Sequence, residues 1–432
     1  MTESGMWNRI MKNGFFYITV IIQMLFSCTP GIDTEGSGII IDVQENIANF
    51  HEEVLSNYAG EIIYIPLETR SDLILNENIL FDCNEDYIVT VDHKLALVLY
   101  DKRGRFIRSF GSKGRGPEEY QSVSNLHLEK NRILFNSMYD VYEFNIKGEF
   151  IGKYPDILRA EDRFFLDPWR LIQDSLIFGH VPNDDGKAPY KALLINMNGE
   201  VVKAYTNHDI LTNYGSRIPG GTTQIYSFKG NLCFKEEFTD TLFRLTNTKM
   251  LVPYYTFNLG KLKVPEKIRS NFFEYFASKK DYIAITNILE LEKYLLLEID
   301  FGNSFPVSRV VEKDSAVQNE VNKMTKLTSI GLGIYQKGTG KFVICEPKDQ
   351  DKLFINNGIT NDIDAGPAFF PQKMVNDSTL AMIISAEDFK EYLESYEFKN
   401  AEARSLEKKT RLIKLAENIN YADNPVLMYV KF

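Results

Sequence analysis

The most regular feature of the chain is a strand–turn–strand pattern, in which apolar alternation is interrupted by a polar turn containing glycine. "LVLYDKRGRFIRSF" shows the pattern first, with Gly104 in its turn, and "VYEFNIKGEFIGKY" and "ALLINMNGEVVKAY" repeat it around Gly148 and Gly199. "TLFRLTNTKMLVPYY" and "GIYQKGTGKFVIC" are looser copies. Such alternation on both sides of a glycine turn is typical of β-hairpins. The pattern therefore predicts an all-β fold built from repeated hairpins.

Further short strands are predicted ahead of each hairpin, which makes a repeating unit of four strands. "RILFNSM", "DSLIFGH" and "NLCFKEE" precede the second, third and fourth hairpins. Four short strands at this period predict a β-propeller with six four-stranded blades, spanning residues 60–432. The sixth blade lacks its last strand, so "GEIIYIPLE" near the N-terminus is predicted to pair with the C-terminal "NPVLMYVKF". This pairing would close the ring and remove exposed sheet edges.

Two charged stretches with helical spacing interrupt the strand pattern. "PEKIRSNFFEYFASKK", residues 265–280, begins with a proline and carries apolar residues at helical intervals. Residues 386–418, inside the sixth blade, are predicted to form one or two amphipathic helices. Decoration of the propeller rim and a docking surface for an envelope partner are the two interpretations of these inserts.

The N-terminal segment predicts export. A short apolar core follows Met11 and Lys12 and ends in "LFSC" at Cys28. The core is too short to span a bilayer comfortably and fits a signal peptide, with Met11 as the possible start. A small residue before Cys28 resembles the lipobox of bacterial lipoproteins, which predicts lipid attachment at Cys28; an ordinary cleaved signal or a membrane anchor is the alternative. Residues 1–28 are thus assigned to the signal peptide and 29–59 to a flexible tether.

Composition and charge narrow the classes of function. The net charge of −10 and the lack of a long basic run make nucleic-acid binding a poor hypothesis. Cys83, Cys233 and Cys345 each lie in a strand-like apolar context, without a Cys-x-x-Cys pair or a Cys/His cluster. We therefore expect buried cysteines and no zinc site.

Two glycine- and proline-containing stretches are predicted to connect neighbouring blades. "GSKGRGPEEY" would cross from blade 1 to blade 2, and "NDIDAGPAFF" from blade 5 to blade 6. The first is no phosphate loop, because Pro117 and two glutamates stand where Lys-Ser or Lys-Thr is required. Both contain Gly-Pro followed, after two residues, by an aromatic residue. This recurrence favours a structural corner with an aromatic plug, and a ligand site on the same face is the alternative.

The order of these motifs resembles the six-bladed β-propeller lipoproteins of Bacteroidota, relatives of NHL-repeat propellers. The residues that carry the resemblance are "IPLET" (65–69), "GSKGRGPEEY" (111–120), "NDIDAGPAFFP" (361–371) and "DNPVLMYVKF" (423–432), together with the lipobox. The resemblance implies a propeller fold and a location in the cell envelope of a Gram-negative bacterium, facing either the periplasm or the outside. It implies little chemistry.

The expected function is non-catalytic: an envelope-anchored binding or scaffold module for a saccharide or peptide, tethered to the membrane by its lipid and possessing no cofactor. The predicted ligand-binding residues are Arg115, Glu118, Tyr120, Asp362 and Asp364. A lactonase-like or carbohydrate-active propeller enzyme, with acidic residues or a metal in the central channel, is the alternative. The carboxylates in "NDIDAG" and "DQD" (349–351) leave calcium binding as an alternative, although neither stretch matches an EF-hand.

Overall fold

The described residues form a ring of six sheets, each with four antiparallel strands that follow one another in order from the centre of the ring to its rim. The structure is a computed structural model that describes residues 38–47, 49–73, 75, 80–160, 164–210, 222–278, 281–302, 330–346 and 357–432. Contacts between the first strands of successive blades line the centre of the ring. The predicted six-bladed β-propeller is therefore confirmed.

The strands are numbered β1 to β28 along the chain, and three of them precede the first blade: β1 (Ile39–Asp42), β2 (Phe50–His51) and β3 (Glu61–Pro66). Blade 1 contains β4 (Phe81–Cys83), β5 (Tyr87–Val91), β6 (Leu97–Asp101) and β7 (Phe106–Phe110). Blade 2 contains β8 (Ser124–Glu129), β9 (Arg132–Ser137), β10 (Asp140–Asn145) and β11 (Phe150–Tyr154). The crossing to blade 3 holds a short pair, β12 (Arg159–Ala160) and β13 (Phe164–Phe165).

The remaining blades follow the same order. Blade 3 contains β14 (Trp169–Ile172), β15 (Leu176–His180), β16 (Tyr190–Asn196) and β17 (Val201–Thr206). Blade 4 contains β18 (Gln224–Phe228), β19 (Asn231–Lys235), β20 (Thr241–Leu245) and β21 (Leu251–Asn258). Blade 5 contains β22 (Ala284–Glu290), β23 (Tyr294–Asp300), β24 (Ile330–Gln336) and β25 (Lys341–Cys345). Blade 6 contains β26 (Lys373–Asn376), β27 (Thr379–Ile384), β28 (Val426–Lys431) and, from the N-terminal side of the chain, β3.

The ring closes through the pairing of β3 with β28. The two strands are antiparallel over six residue pairs, from Glu61 opposite Lys431 to Pro66 opposite Val426. Beyond the strands, the buried Asn424 accepts a hydrogen bond from the Leu75 amide and donates to the Glu68 carbonyl. The predicted closure is confirmed, and the side-chain amide of Asn424 extends it into the crossing that leads to blade 1.

The repeated hairpins of blades 1 to 3 share one turn device. Gly104, Gly148 and Gly199 all have positive φ angles, between 75° and 80°. Three residues before each glycine stands Asp101, Asn145 or Asn196, whose side-chain oxygen accepts hydrogen bonds from two backbone amides of the turn. The sequence pattern Asp/Asn-x-x-Gly therefore produces the hairpins by side-chain capping and left-handed glycine.

The hydrophobic core is divided among the interfaces between blades. In the described residues, buried side chains form a separate cluster at each of the six interfaces. The cluster between blades 6 and 1, for example, joins Leu427 and Ile65 to Ile88 and Tyr100. A blade can bury both of its faces only between two neighbours, which explains why the ring must close. Cys83, Cys233 and Cys345 are buried free thiols, as predicted, and burial raises the pKa of Cys83 and Cys233 to about 12.

The described residues that precede β3, from Gly38 onward, pair with the outer rim of the ring; they fall within the 29–59 stretch for which the sequence predicts a tether. β1 pairs in parallel with β21, the outer strand of blade 4, and β2 pairs in parallel with β25, the outer strand of blade 5. Leu55 then donates a backbone hydrogen bond to Thr360. β1 and β2 thus extend two blades to five strands, because the free edges of β21 and β25 offer unpaired backbone groups.

Helices occupy both predicted inserts. α1 (Val43–Asn46) is a single turn between β1 and β2, and the first insert holds α2 (Glu266–Arg269) and α3 (Phe272–Ser278). The blade 6 insert contains three helices instead of one or two: α4 (Ala386–Glu394), α5 (Tyr396–Asn400) and α6 (Leu406–Glu417). Serine side chains cap all three, which explains the breaks between them. Phe389, Phe398 and Leu412 pack these helices onto the core between blades 5 and 6.

Candidate functional site at the blade crossings

The crossings between blades and the loops that join the second and third strands leave the sheets at the same end. This follows from the antiparallel order of each blade, since the last strand of a blade returns to the end where its first strand began. We call this end of the ring the crossing face. It carries the 111–123 crossing, the 357–372 crossing and the helical insert of blade 6.

The 111–123 crossing is anchored by Tyr120. Its ring is buried, with centroids 4.7 Å from Phe135 and 5.7 Å from Tyr142, and its hydroxyl donates to the Leu95 carbonyl at 2.7 Å. Burial raises the pKa of Tyr120, which keeps the hydroxyl protonated as a donor. Tyr120 therefore plugs the interface between blades 1 and 2.

The side chain of Glu119 also stabilises the 111–123 crossing. The Glu119 carboxylate accepts a hydrogen bond from the Gly116 amide at 2.7 Å, and the Gly114 amide donates to the Tyr120 carbonyl. Arg115 and Glu118 project from the closed loop and are exposed. They line different hollows: Arg115 faces the turns of blade 2, whereas Glu118 faces the hairpin at Gly148.

The 357–372 crossing uses its acidic residues for internal contacts. Asp362 accepts hydrogen bonds from the amide and hydroxyl of Ser56 and pairs with Arg404 at 2.6 Å. Asp364 is buried, accepts from Tyr64 and Asn361, and has its pKa raised by burial. The aromatic residues Phe369 and Phe370 are also buried. The structure thus places Asp362 and Asp364 beside the closing strand β3 and the blade 6 insert, in a different part of the ring from Arg115.

A hollow of about 390 Å³ lies between the 111–123 crossing and the turns of blade 2. Arg115, Tyr139, Asp140, Lys153 and Arg159 line it, together with further residues of the crossing. Lys153 pairs with Asp140 at 2.7 Å and its ammonium lies 5.2 Å from the centre of the Tyr142 ring. The Asp140 carboxylate raises the pKa of Lys153, so this cation stays charged at neutral pH. We call this hollow the Arg115 pocket.

An aromatic residue and a second ion pair complete the Arg115 pocket. The Arg159 guanidinium stacks 4.4 Å from the centre of the Tyr139 ring and pairs with Asp156 at 3.3 Å. Among the lining residues that the structure describes, Arg115 is the cation without a carboxylate partner. The arrangement offers donors, acceptors and one uncommitted guanidinium at the surface of a rigid blade interface.

Sequence reasoning identified Arg115 but missed Lys153, Asp156 and Arg159. These residues belong to "KYPDILRAED", a charged run that begins at the end of the outer strand of blade 2 and continues beyond it. This run leads into the crossing from blade 2 to blade 3, so residues of two neighbouring crossings line one pocket. The expectation that neighbouring crossings meet would have identified these residues in the sequence. Cys28, the predicted lipidation residue, and "DQD", the calcium candidate, lie outside the described residues.

A second group of residues, two of which have strongly shifted pKa values, surrounds the end of β19. Lys235 is 1 % exposed, donates to the carbonyls of Glu236 and Glu237, and has its pKa lowered by burial to about 8. Burial also raises the pKa of Glu237 to about 7. Arg269 of α2 lies over the Phe238 ring and pairs with Asp209. Sequence reasoning missed this group, although the charged "KEE" at the end of an apolar strand marks it.

Within the described ranges, no three His, Cys, Asp or Glu side chains gather in a way that could hold a metal ion. The helices found in those ranges are all too short or too polar to cross a bilayer. Acidic residues near the channel are engaged by neighbours: Asp82 accepts from the Leu128 amide at 2.8 Å, and Glu129 pairs with Arg170 at 3.4 Å.

These features define the class: a closed six-bladed β-propeller with polar hollows at its crossings. The chain belongs to the family described as Domain of unknown function (DUF4934), whose model matches residues 38–431. None of the curated proteins matches the chain.

One of the similar solved structures, a protein from Bacteroides fragilis, supports the same architecture. This Bacteroides fragilis protein, which is named as an exported protein on inference, matches with a TM-score of 0.61 at 16 % identity, over 92 % of this chain and 99 % of that one. A member of the DUF4221 family from Bacteroides vulgatus matches with a TM-score of 0.42 at 14 % identity, over 66 % of this chain and 84 % of that one. Virginiamycin B lyase from Staphylococcus aureus gives a TM-score of 0.34 at 10 % identity, over 67 % and 75 %. At 16 % identity the likeness to the Bacteroides fragilis protein concerns the fold alone.

Proposed function

We propose that the protein is a non-catalytic binding module of the bacterial cell envelope, and that it holds a saccharide in the Arg115 pocket. The observation that carries the proposal is the state of Arg115. It is exposed, it lines the pocket, and it is the lining cation that has no carboxylate partner among the described residues. A guanidinium in this position is available to hydroxyl or carboxylate oxygens of a ligand.

The other groups of the pocket suit a hydroxyl-rich ligand. Two ion pairs, Lys153 with Asp140 and Arg159 with Asp156, present fixed donors and acceptors side by side. Because these charges are paired, the pocket has no strong net field that would select a polyanion. Tyr139 adds an aromatic surface of the kind that packs against sugar rings.

Rigidity of the pocket also supports binding. The 111–123 crossing is held by the Tyr120 plug and by the Glu119 carboxylate, so Arg115 stands on a closed loop. A ligand site on such a support loses little conformational entropy on binding. The envelope location rests on the signal peptide and lipobox ending at Cys28, and lipid at that residue would tether the propeller to a membrane.

A glycan array tests the proposal with the purified full chain, followed by calorimetric titration of each saccharide that binds. Arg115→Ala should weaken binding about tenfold or more, because one charge-assisted hydrogen bond contributes roughly 1.5–3 kcal/mol. Arg103→Ala, an exposed arginine of a hairpin at the opposite end of blade 1, is the matched control and should bind as the parent does. Equal affinity of the Arg115→Ala protein would place the site elsewhere.

Two further results would change the proposal. Asp362→Asn should leave saccharide affinity unchanged, because Asp362 lies at the other crossing and is committed to Arg404. A loss of affinity would show that both crossings share one ligand. Turnover of any bound saccharide, abolished by mutating a channel carboxylate such as Glu129, would favour the enzyme alternative.

A further inference from the structure

The edge of blade 6 differs from the edges of blades 4 and 5. On those two blades the chain's own β1 and β2 add a fifth strand in parallel to the outer strand. On blade 6 the outer strand β3 ends the sheet. A groove of about 840 Å³ lies beside the first half of β3, between this strand and helix α6. We call it the β3–α6 groove.

The outward backbone groups of β3 can be assigned from the register. Leu67 donates to the Pro425 carbonyl, and these two residues continue the pairing of Pro66 with Val426. The residues whose backbone N–H and C=O groups bond to the partner strand alternate along an antiparallel pair. The backbone groups of Glu61, Ile63 and Ile65 therefore bond to β28, and those of the residues between them point away from it. The backbone amides of Ile62 and Tyr64 therefore face outward, and neither has an acceptor within the part of the chain that the structure describes.

The groove combines an apolar floor with a basic rim. Ile62, Leu412 and Leu415 supply apolar surface, and the side chain of Ile63 is 46 % exposed. Lys408 and Arg411 of α6 and Lys431 at the end of β28 line the same groove. Arg411 also pairs with Glu407 one turn earlier on α6, at an exposed position where such a pair is weak and exchangeable. Its acids are Glu61 and Asp364, and Asp364 is buried with its pKa raised by burial. The exposed charge of the groove is thus positive on a protein whose net charge is −10.

We propose that the β3–α6 groove binds an extended segment of another envelope protein, which adds to β3 as a fifth strand. The segment would alternate apolar residues, packed on Ile62 and Leu412, with carboxylates that pair with Lys408, Arg411 and Lys431. Backbone bonds to the Ile62 and Tyr64 amides provide affinity, and the alternating side chains provide selectivity. This partner site is separate from the Arg115 pocket.

Three observations favour this occupant. The chain already uses strand addition at the outer edges of two neighbouring blades, so the rim geometry accepts a fifth strand. The outward amides of β3 require hydrogen-bond acceptors, which an extended backbone supplies in register. The basic rim is complementary to carboxylates and would repel a basic segment.

The test uses the full chain and a fluorescein-labelled octapeptide of alternating valine and glutamate, measured by fluorescence anisotropy. Two probes of the same length serve as comparisons: one with lysine in place of glutamate, and one with two central prolines, which cannot form the ladder. We expect saturable binding of the acidic probe and none of the other two. Hydrogen exchange of the fragment that contains residues 60–66 should slow when the acidic probe is bound.

Charge reversal supplies the matched variants. Lys408→Glu with Arg411→Glu should weaken the acidic probe about tenfold or more, since two rim charges change sign. Lys399→Glu with Lys414→Glu changes the net charge equally at exposed positions of α5 and α6 outside the groove, and should leave affinity unchanged. Circular dichroism checks that both variants are folded.

Several outcomes would overturn the proposal. One is a failure of the acidic probe to bind, and another is an equal effect of the two double variants. Protection of a fragment other than 60–66 would place the peptide elsewhere. Binding to vesicles of anionic phospholipid that disappears in the Lys408→Glu/Arg411→Glu protein, without peptide binding, would assign the groove to a membrane surface.

Discussion

Replacement of Tyr120 separates the structural and ligand-binding interpretations of the 111–123 crossing. Tyr120→Phe keeps the ring against Phe135 and Tyr142 and removes the hydroxyl that donates to Leu95 at 2.7 Å. Loss of this bond leaves a buried carbonyl without its donor, so the free energy of unfolding should fall by about 1–2 kcal/mol. Tyr120→Ala also removes the ring from the interface between blades 1 and 2 and should cost about 3–5 kcal/mol.

Urea unfolding measures both values, followed by the fluorescence of the buried Trp169 and by far-ultraviolet circular dichroism. Tyr421→Phe is the control, because Tyr421 is 48 % exposed and donates to Glu394 at the surface. We expect that control to change stability by less than about 0.5 kcal/mol. Saccharide affinity of the Tyr120→Phe protein should equal that of the parent, since the hydroxyl is occupied by Leu95.

Two results would refute this reasoning. Stability of Tyr120→Phe equal to that of the control would mean that the buried hydrogen bond contributes nothing to the blade interface. A stable Tyr120→Phe protein with reduced saccharide affinity would show that the hydroxyl contacts ligand instead of the protein.

Three further predictions address pH, closure and anchoring. The free energy of unfolding should fall between about pH 4.5 and 7, because burial raises the pKa of Glu237 to about 7 and keeps its carboxyl protonated in the folded protein while the unfolded chain ionises. The fall should be up to about 3 kcal/mol, and Glu237→Gln should abolish it. Urea titrations across this pH range measure the fall, with Glu118→Gln at an exposed position as the control. Deletion of Asn424–Phe432 removes β28 and should cause aggregation or loss of cooperative unfolding, measured by light scattering and thermal melting. Cys28→Ala should move the protein from the membrane fraction to the soluble fraction of expressing cells.

Each of these has a contradicting outcome. The pH interpretation is wrong if Glu237→Gln and the parent lose the same stability between pH 4.5 and 7. A soluble deletion protein that melts like the parent would contradict the importance of the β3–β28 pairing. Equal recovery of the Cys28→Ala protein and the parent in membrane pellets would exclude lipid attachment at that residue.

The hairpins and the closing strand were predictable because their signals are local or strongly patterned. Asp101 and Gly104 specify a turn within four residues, and the same device recurs at Asn145 and Asn196. The C-terminal "NPVLMYVKF" lacked a partner in the repeat count, so an N-terminal strand had to supply it. The recurring Gly-Pro and aromatic spacing correctly indicated buried aromatic residues at both crossings.

Other features depended on contacts between distant parts of the chain. The Ile39–Asp42 segment shows no alternation that marks an edge strand, and its parallel pairing with β21 depends on a sheet edge more than two hundred residues away. Asp362 and Asp364 looked available in the sequence, yet Ser56, Tyr64 and Arg404 engage them. Neither partner set has a spacing that sequence could reveal.

The sequence by itself therefore determined the strand repeat, the number of blades, the turn chemistry and the closing pair, because each rests on periodicity or on side chains a few residues apart. The tertiary structure alone decided which exposed charges remain uncommitted and which sheet edges stay open. Arg115 is uncommitted because the loop closes on Glu119, and β3 is open because the rim strands end at blade 5. Charge pairing and edge coverage are set by which surfaces the ring brings together, and a linear pattern does not encode those distances.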